Sequence, residues 1–457
     1  MRSIWAVAAN TIKQALRMKV AVVFIVLLVV LLGALGFSAT GDGSLKGRCQ
    51  SFVSYGLSLT SFLLCILTIV VSVYTLTSDI RDRQIYTVLT KPIRRFEYLL
   101  GKFLGVVVLD AGLVILFSAV IYTITILAPR FYDASEDERA RVRNEFFTAR
   151  AGLKPAAVDV SEEVEASYER LKKGGQLEEL FKGMSRKEIM ARLRKQKELQ
   201  KRSAAVGREL MWEFEDVKPL DANESLFIRF KYDVSVNPPG YLVYGRWVVG
   251  DLRQIRYGTG IETPIYQYDR RDLIRTFYEI EVPAEAVADD GYIGVAFLNF
   301  PLNNTTVIFP LDDGLEILYK ADTFTLNFIR ASLVVFLRLV FLAALGLLSA
   351  SFLSFPVAIL VCLVVFFTAS FSGFVLESFD YMSEDLSGVY SYTFRPLIRL
   401  LPRFDRFNPS SFLVSARLLS WVLVAKAAAF MVCIKALLLC FLALLIFSYR
   451  EIAKVTV

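Results

Sequence analysis

The sequence of 457 residues contains no histidine. The absence of imidazole excludes a His-based catalytic triad, a His-ligated zinc site and an imidazole general base. Cysteine is also scarce, because only five occur, none of them in a CxxC pair. Four of the five lie within apolar runs, so neither a disulfide framework nor a metal site is predicted. Together these absences argue against a hydrolase or a metalloenzyme.

A nucleotide-binding P-loop is also missing. Such a loop needs a glycine-rich turn that ends in Lys followed by Ser or Thr, so that backbone amides and the Lys side chain hold the phosphates. The pair Gly101-Lys102 is followed by Phe103 instead. We therefore expect that this chain is not an enzyme, hydrolyses no ATP and carries no cofactor.

Long hydrophobic segments dominate what is present. Hydrophobic residues make up 55% of the chain, more than the roughly 45–50% of an ordinary soluble protein. Six runs come close to the ~20 residues that a helix needs to cross the hydrocarbon. They are Val20–Phe37, Leu57–Leu76, Phe103–Ala128, Ala331–Phe352, Pro356–Leu376 and Ala427–Phe447. The predicted fold class is a polytopic α-helical membrane protein with six transmembrane helices.

The N-terminal stretch MRSIWAVAANTIKQALRMK has a basic amphipathic pattern with apolar residues at helical spacing. We interpret it as an interfacial helix that leads into the first span. The alternative is a secretory signal peptide. The following apolar run is long for that role, and no small-residue cleavage site is evident before Cys49.

Basic residues in the short connections predict the orientation. Clusters precede span one, separate spans two and three and follow span six, so this side and both termini are expected to be cytoplasmic. One group disagrees, because five arginines lie between spans five and six on the opposite side. Three prolines divide that segment into pieces that could lie along the interface. The arginines are Arg395, Arg399, Arg403, Arg406 and Arg417.

The region between spans three and four is a large polar insert, predicted to be extracytoplasmic over residues 130–325. Residues 130–219 are charged and helix-favouring, which predicts a helical hairpin. Residues 220–325 alternate in short strands separated by turns, which predicts a β-sandwich. The insert is thus α+β, between a first transmembrane part (1–129) and a second (326–457).

The connection between spans two and three, residues 78–105, is the most informative stretch. Apolar Ile85, Val88 and Leu89 stand among charged residues, as in an amphipathic helix that lies on lipid or docks into a partner's groove. Pro92 ends that helix, because proline disfavours helical geometry in the residue before it. The simpler alternative is a basic loop that only obeys the positive-inside rule.

The segment KPIRRFEYLLGKFLG resembles the signature of ABC-2-type transporter permeases. Pro92, Arg95, Gly101 and Lys102 fall on the recurring proline, arginine and Gly-Lys positions. The resemblance extends to the six-span layout and is greatest for the permease group named for multi-copper-enzyme maturation. This chain departs from the pattern at Arg83-Gln84, where a Gly-Thr pair is common, and in its large insert.

The resemblance implies a membrane subunit of an ATP-driven transporter, an exporter that works as a homodimer with a separate P-loop ATPase, which holds ATP and Mg. The expected location is the bacterial inner membrane. In such permeases a coupling helix, here about residues 80–95, contacts the ATPase. The coupling residues carried over or placed beside it are Ile85, Val88, Leu89, Lys91, Pro92, Arg94, Arg95, Gly101 and Lys102.

Two alternatives remain for the function. In one, ATP hydrolysis moves the outer domain and nothing crosses the bilayer. In the other, the helices only anchor an extracytoplasmic binding or scaffold protein, although six spans are excessive for an anchor. Partners at the outer domain would be an envelope protein or a polysaccharide, and no nucleic acid is expected.

Three ionisable residues fall inside predicted spans, where charges are costly and often functional. They are Asp110, Arg338 and Lys435. The alternative interpretation is structural: Asp110 would be satisfied in an interhelical pair, and the two basic side chains would reach the interface. Within the predicted sandwich, aromatic residues form either a ligand platform or, more simply, the core. These are Trp247, Tyr244, Tyr257, Tyr266 and Tyr268.

Overall fold

The architecture was taken from a computed structural model, which describes residues 2–82, 93–132, 134–181, 184–220, 225–258, 263–380, 396, 398, 401–405 and 407–449. The chain divides into two compact units. The first, the membrane unit, combines Met1–Ala149 with Thr323–Val457. The second, the insert unit, is Arg150–Asp322.

The membrane unit is mainly helical in its described residues. Before the insert, its helices are α1 (Arg2–Arg17), α2 (Lys19–Ser38), α3 (Leu45–Arg81), α4 (Arg95–Phe131) and α5 (Glu136–Glu145). Further helices follow the insert, and the first of them begins at Phe324. The latter are numbered α10 (Phe324–Phe352), α11 (Phe355–Ser370), α12 (Ser372–Asp380), α13 (Pro409–Val414) and α14 (Trp421–Tyr449).

Five helices are long and apolar enough to cross a membrane, namely α2, α3, α4, α10 and α14. This confirms a polytopic α-helical protein. The fifth predicted span falls on α11, a shorter apolar helix of 16 residues. The count of six spans therefore stays a prediction.

Polar side chains set several helix starts. The hydroxyl of Ser44 accepts a hydrogen bond from the Gly47 amide at the start of α3. Thr323 does the same for α10, and Ser420 for α14. Such N-caps satisfy amides that have no partner within the helix. Helices α3, α10 and α14 thus begin at capping residues that precede the apolar runs visible in the sequence.

Helices α3 and α10 form the centre of the membrane unit, and most of their residues are buried. Their close approach depends on a small residue, because a Cβ on Gly346 of α10 would lie 1.9 Å from the Ser72 hydroxyl oxygen of α3. By contrast, α2 and α14 expose most of their apolar side chains. Such surfaces suit contact with lipid or another transmembrane helix.

The described residues of the insert unit form the β-rich region and four α-helices. The helices are α6 (Ser161–Lys173), α7 (Leu177–Leu180) and α8 (Arg186–Lys201), followed by a short α9 (Arg253–Tyr257) within the β-rich part. Val164 of α6 packs with Ile189 and Leu193 of α8 in a small core of their own.

Eleven strands are described. They are β1 (Thr148–Leu153), β2 (Ser203–Ala204), β3 (Glu209–Phe214), β4 (Ser225–Phe230), β5 (Asp233–Val234), β6 (Leu242–Gly250), β7 (Tyr266–Leu273), β8 (Tyr278–Pro283), β9 (Ile293–Asn299), β10 (Val307–Ile308) and β11 (Leu315–Thr323). The sheet orders are β1-β11-β4-β8, β3-β9-β6-β7 and the short β2-β10-β5. Strands β1, β2 and β3 lie within the range 130–219, for which the sequence predicts a helical hairpin.

The core of the insert unit lies between the two four-stranded sheets. Trp247 of β6 is fully buried, and its ring centroid lies 4.4 Å from that of Phe230 on β4, in the other sheet. Alternate residues of β6, including Val243 and Val249, point the same way and are buried, as expected for strands with one face in a core. The sequence left two interpretations for the aromatic residues, a ligand platform or the core, and Trp247 belongs to the core.

A small ion-pair network, which we call the clasp, connects Arg253 with Asp251 and Asp290 in the loops beside this core. Arg253 donates to Asp251 (2.9 Å) and to Asp290 (2.7 Å). These hydrogen bonds to Arg253 lower the pKa of both carboxyl groups. The clasp therefore stabilises the unit above the ordinary carboxyl pKa, and this contribution is lost as the pH falls through the lowered values.

Candidate functional site

The structure describes both ends of the predicted coupling segment but not its middle. Helix α3 ends at Arg81 and α4 begins at Arg95. The predicted coupling residues Ile85, Val88, Leu89, Lys91 and Pro92 lie outside the described residues. Arg94, Arg95, Gly101 and Lys102 are described, and the structure gives each of them a distinct environment.

Lys102 lies in a buried polar cluster that joins three helices. Its ammonium group contacts Oδ2 of Asp79 on α3 at 2.7 Å, and both side chains are almost inaccessible. It also donates to Oε1 of Gln14 on α1 at 2.9 Å and to the carbonyl of Thr75 at 3.0 Å. The hydroxyl of Tyr98 donates to Asp79 as well, at 2.5 Å. We call Gln14, Asp79, Tyr98 and Lys102 the polar cluster.

Every charged group of the polar cluster has a partner. The three donors of Lys102 have three acceptors, while Asp79 accepts from Tyr98 and Lys102 on one oxygen and from Gln14 on the other, at 3.2 Å. A buried ion pair tolerates its loss of hydration only when additional hydrogen bonds satisfy both ions. The cluster therefore fixes the end of α3, the start of α4 and α1 as one assembly.

Arg94 and Arg95 occupy different environments although they are neighbours. Arg94 is exposed and precedes α4, where its amide donates to Glu97. Nη1 of Arg95 donates to the carbonyls of Phe447 (3.1 Å) and Ser448 (2.7 Å) at the end of α14. Carbonyls in the last turn of a helix accept no hydrogen bond from within the helix. A cation at this end also interacts favourably with the helix dipole. Arg95 is thus a cap for α14, whereas the Arg94 side chain is open to a partner.

Gly101 and Gly105 of α4 let α1 approach closely. A Cβ on Gly101 would lie 2.7 Å from Cβ of Val7, and one on Gly105 would lie 2.7 Å from Cβ of Thr11. The spacing of four residues places both glycines on one helix face, as in the small-xxx-small pattern of membrane helices. The physical reason for glycine at position 101 is therefore contact with α1.

Replacing Gly105 with leucine is expected to displace α1 from α4. The added side chain has no room, because the carbonyl of Ala8 also lies 2.8 Å from the position of a Cβ. Hydrogen exchange of the purified full chain should then show faster exchange in residues 2–17. The matched control is Gly112→Leu, on the same helix with nothing within 4 Å of its Cβ position. Equal exchange in both variants would contradict close packing at Gly105.

Residues 5–135 match the family model described as ABC-2 family transporter protein. This segment is similar to ABC-2 family transporter proteins. The resemblance seen in the sequence is thereby confirmed, while the multi-copper-enzyme-maturation group stays a prediction. No curated protein and no solved structure matches the chain.

The match supports a permease subunit of an ABC transporter, a multi-pass membrane protein whose family implies a partner ATPase. All four residues of the polar cluster fall inside the matched range, as do α1 and both ends of the coupling segment. The matched segment thus contains the polar cluster.

Asp110 is a buried carboxylate within the matched segment. It is 2% exposed, and the hydroxyl of Thr68 on α3 donates to its Oδ1 at 2.9 Å. Its Oδ2 has no hydrogen-bond partner among the described residues. No ion pair joins Asp110 to Lys435 in the described part of the chain. The structure therefore does not bring these two predicted residues together.

Lys435 lies in the second membrane part of the chain, halfway along α14. It belongs to a π-helical stretch, Ala429–Ala436, a geometry that is frequent at functional sites. Its ammonium lies 4.7 Å from the ring centroid of Phe430 and has no hydrogen-bond acceptor among the described residues.

Arg338 of α10 holds the chain that leads into α13. Its Nη2 donates to the carbonyls of Phe404 (2.7 Å) and Phe407 (2.6 Å). It also lines a cavity of about 310 Å³, which we call the serine cavity. The lining residues are Leu57, Ser58, Ser61, Phe62, Arg338, Phe366, Ser370, Phe404, Asp405, Asn408, Pro409 and Ser410.

Sequence reasoning missed several of these residues. Gln14, Asp79 and Tyr98 carry the polar cluster together with Lys102, yet only Lys102 stood on a family motif. A usable signal existed for Asp79, which directly precedes the basic connection at the end of an apolar run. In the described part of the chain no group of three or more Cys, Asp or Glu side chains is placed to hold a metal ion.

Proposed function

We propose that the chain is the coupled membrane subunit of an ATP-driven exporter. It works as a homodimer with a separate P-loop ATPase that holds ATP and Mg. The polar cluster carries this proposal, because it ties both ends of residues 83–92 and helix α1 to one another. A force applied to that segment would reach three helices at once.

The mechanism follows from the rigidity of this junction. Closure of two ATPase subunits would push on residues 80–95, and the push would move α3 and α4 through Asp79 and Lys102. Such a bundle has two packed arrangements, and the ATPase biases the choice between them. The chain itself provides no P-loop and transmits the work done by its partner.

Support for the orientation comes from the charge pattern. Basic residues flank α1, α2 and the coupling segment, so we place this face in the cytoplasm of the bacterial inner membrane and the insert unit outside. The size and separate core of the insert unit support a second candidate, in which ATP hydrolysis moves that unit and nothing crosses the bilayer.

The experiment is affinity purification of the tagged chain from its native membrane, with an ATPase assay and identification of co-purifying proteins. A stoichiometric P-loop ATPase with vanadate-sensitive activity is the expected result. Recovery of envelope proteins alone, with no ATPase activity, would favour the anchored binding protein instead.

A further inference from the structure

The depth of the serine cavity in the membrane can be estimated from its distance along α3 to the polar cluster. Ser58 in its wall and Asp79 in the polar cluster both belong to α3. About 21 residues separate them, which is roughly 32 Å at 1.5 Å per residue. The hydrocarbon core of a bilayer is about 30 Å thick. The cavity and the polar cluster therefore lie near opposite boundaries of the hydrocarbon, where lipid headgroups begin.

The cavity carries one charge of each sign, and the two do not pair with each other. In the described part of the chain no ion pair joins Arg338 to Asp405. Arg338 donates through Nη2 alone, and its Nε has no acceptor among the described residues. Asp405 accepts from the Ser372 hydroxyl on Oδ1, at 2.9 Å. Its Oδ2 occupies space that only glycine at position 373 leaves open.

The remaining walls are both apolar and hydroxylated. The rings of Phe62, Phe366 and Phe404 form one part, with centroids 6.1 Å apart for Phe62 and Phe366 and 6.4 Å for Phe366 and Phe404. Ser61 and Ser370 line another part. This combination suits the polar end of an amphiphile, with donors for an anion and rings beside the start of its chains.

We propose that the serine cavity binds the zwitterionic headgroup of a membrane lipid, with its phosphate at Arg338 and its primary ammonium at Asp405. Arginine is suited to phosphate oxygens, and a carboxylate accepts from an ammonium. A volume of about 310 Å³ is at the small end of ligand pockets, which fits a headgroup and leaves the acyl chains outside. The proposal does not rest on the proposed function, because binding needs no ATPase.

The test measures lipid retention by the full chain. The protein is purified in nanodiscs that contain equal amounts of phosphatidylethanolamine and phosphatidylglycerol, released into detergent, and its bound lipid is measured by native mass spectrometry. The intact chain is expected to retain about tenfold more phosphatidylethanolamine than phosphatidylglycerol. A preference of this size corresponds to one charge-assisted hydrogen bond. Asp405→Asn should lose this preference, and Arg338→Lys should weaken retention of both lipids.

The matched control is Ser332→Ala, on the same helix as Arg338 but in the wall of a separate apolar cavity; it should retain lipid like the intact chain. Asp405→Asn keeps an oxygen for the Ser372 hydroxyl, so it tests the charge without removing that contact. Equal retention of the two lipids by the intact chain, or an unchanged preference in Asp405→Asn, would overturn the proposal.

A competition experiment with soluble O-phosphoethanolamine distinguishes a site for a lipid headgroup from a site for a free small zwitterion. The proposal expects no displacement of bound lipid by millimolar O-phosphoethanolamine, because the acyl chains add apolar contact that it lacks. Complete displacement would show that the cavity selects a free zwitterion, and the assignment to lipid would then be wrong.

Discussion

Replacing Lys102 with methionine is expected to destabilise the membrane unit by about 3–5 kcal/mol, the usual effect of removing one partner of a buried ion pair. The substitution leaves the Asp79 carboxylate in an almost inaccessible position with only Tyr98 and Gln14 as donors. The thermal unfolding midpoint of the purified full chain should fall clearly, and α1 should exchange its amide hydrogens faster because it loses the bond from Lys102 to Gln14.

The control is Lys46→Met, which breaks the partly exposed ion pair with Glu145 in the same unit. Exposed pairs contribute about 0–1 kcal/mol, so this midpoint should change little. The double variant Asp79→Leu/Lys102→Met removes both charges and should recover much of the stability lost in the single variant. An unchanged midpoint in Lys102→Met, or additive losses in the double variant, would mean that the ion pair does not hold these helices together.

Charge reversal at Arg94 is expected to reduce ATPase activity stimulated by the permease by tenfold or more, with no loss of thermal stability. The reason is that Arg94 is exposed at the start of α4, beside the proposed coupling segment. Like-charge contact at an interface costs several kcal/mol, and each 1.4 kcal/mol is about tenfold. The measurement is ATPase activity of the reconstituted complex together with the unfolding midpoint of each variant.

Arg95→Glu is the informative neighbour, because Arg95 caps α14 through the carbonyls of Phe447 and Ser448. This variant should lower the unfolding midpoint and loosen the end of α14, whatever it does to the ATPase. A double reversal would mix the two effects. If Arg94→Glu keeps full stimulated activity while the complex still forms, Arg94 plays no part in coupling.

Much of the membrane unit was predictable from local sequence. Apolar runs of about 20 residues predict helices because the backbone of a spanning segment must satisfy its own hydrogen bonds. The runs near Val20, Leu57, Phe103 and Ala331 all fall within described long helices. The run at Pro356 gave a shorter helix, because Ser370 and Phe371 end α11 before the predicted limit at Leu376.

The sequence predicted that the insert contains helices and strands, but it did not predict where the strands begin. Alternating apolar residues predict strands with one buried face, and β6 follows this pattern around Trp247. Residues Glu209–Phe214 were placed in the helical part because charged residues surround them. They form β3, since pairing with β9 buries Trp212 and Phe214, and such pairing depends on residues far away in the chain.

The sequence by itself determined that this protein is a multi-pass membrane protein with an ABC-2 signature, because hydrophobic length and a local motif need no knowledge of folding. Only the tertiary structure decided what the motif residues do. Lys102 meets Asp79 and Gln14, and Arg95 meets the end of α14, across separations of up to 353 residues. Contacts between distant segments arise from helix packing, and helix packing is decided by side-chain fit in three dimensions rather than by spacing along the chain.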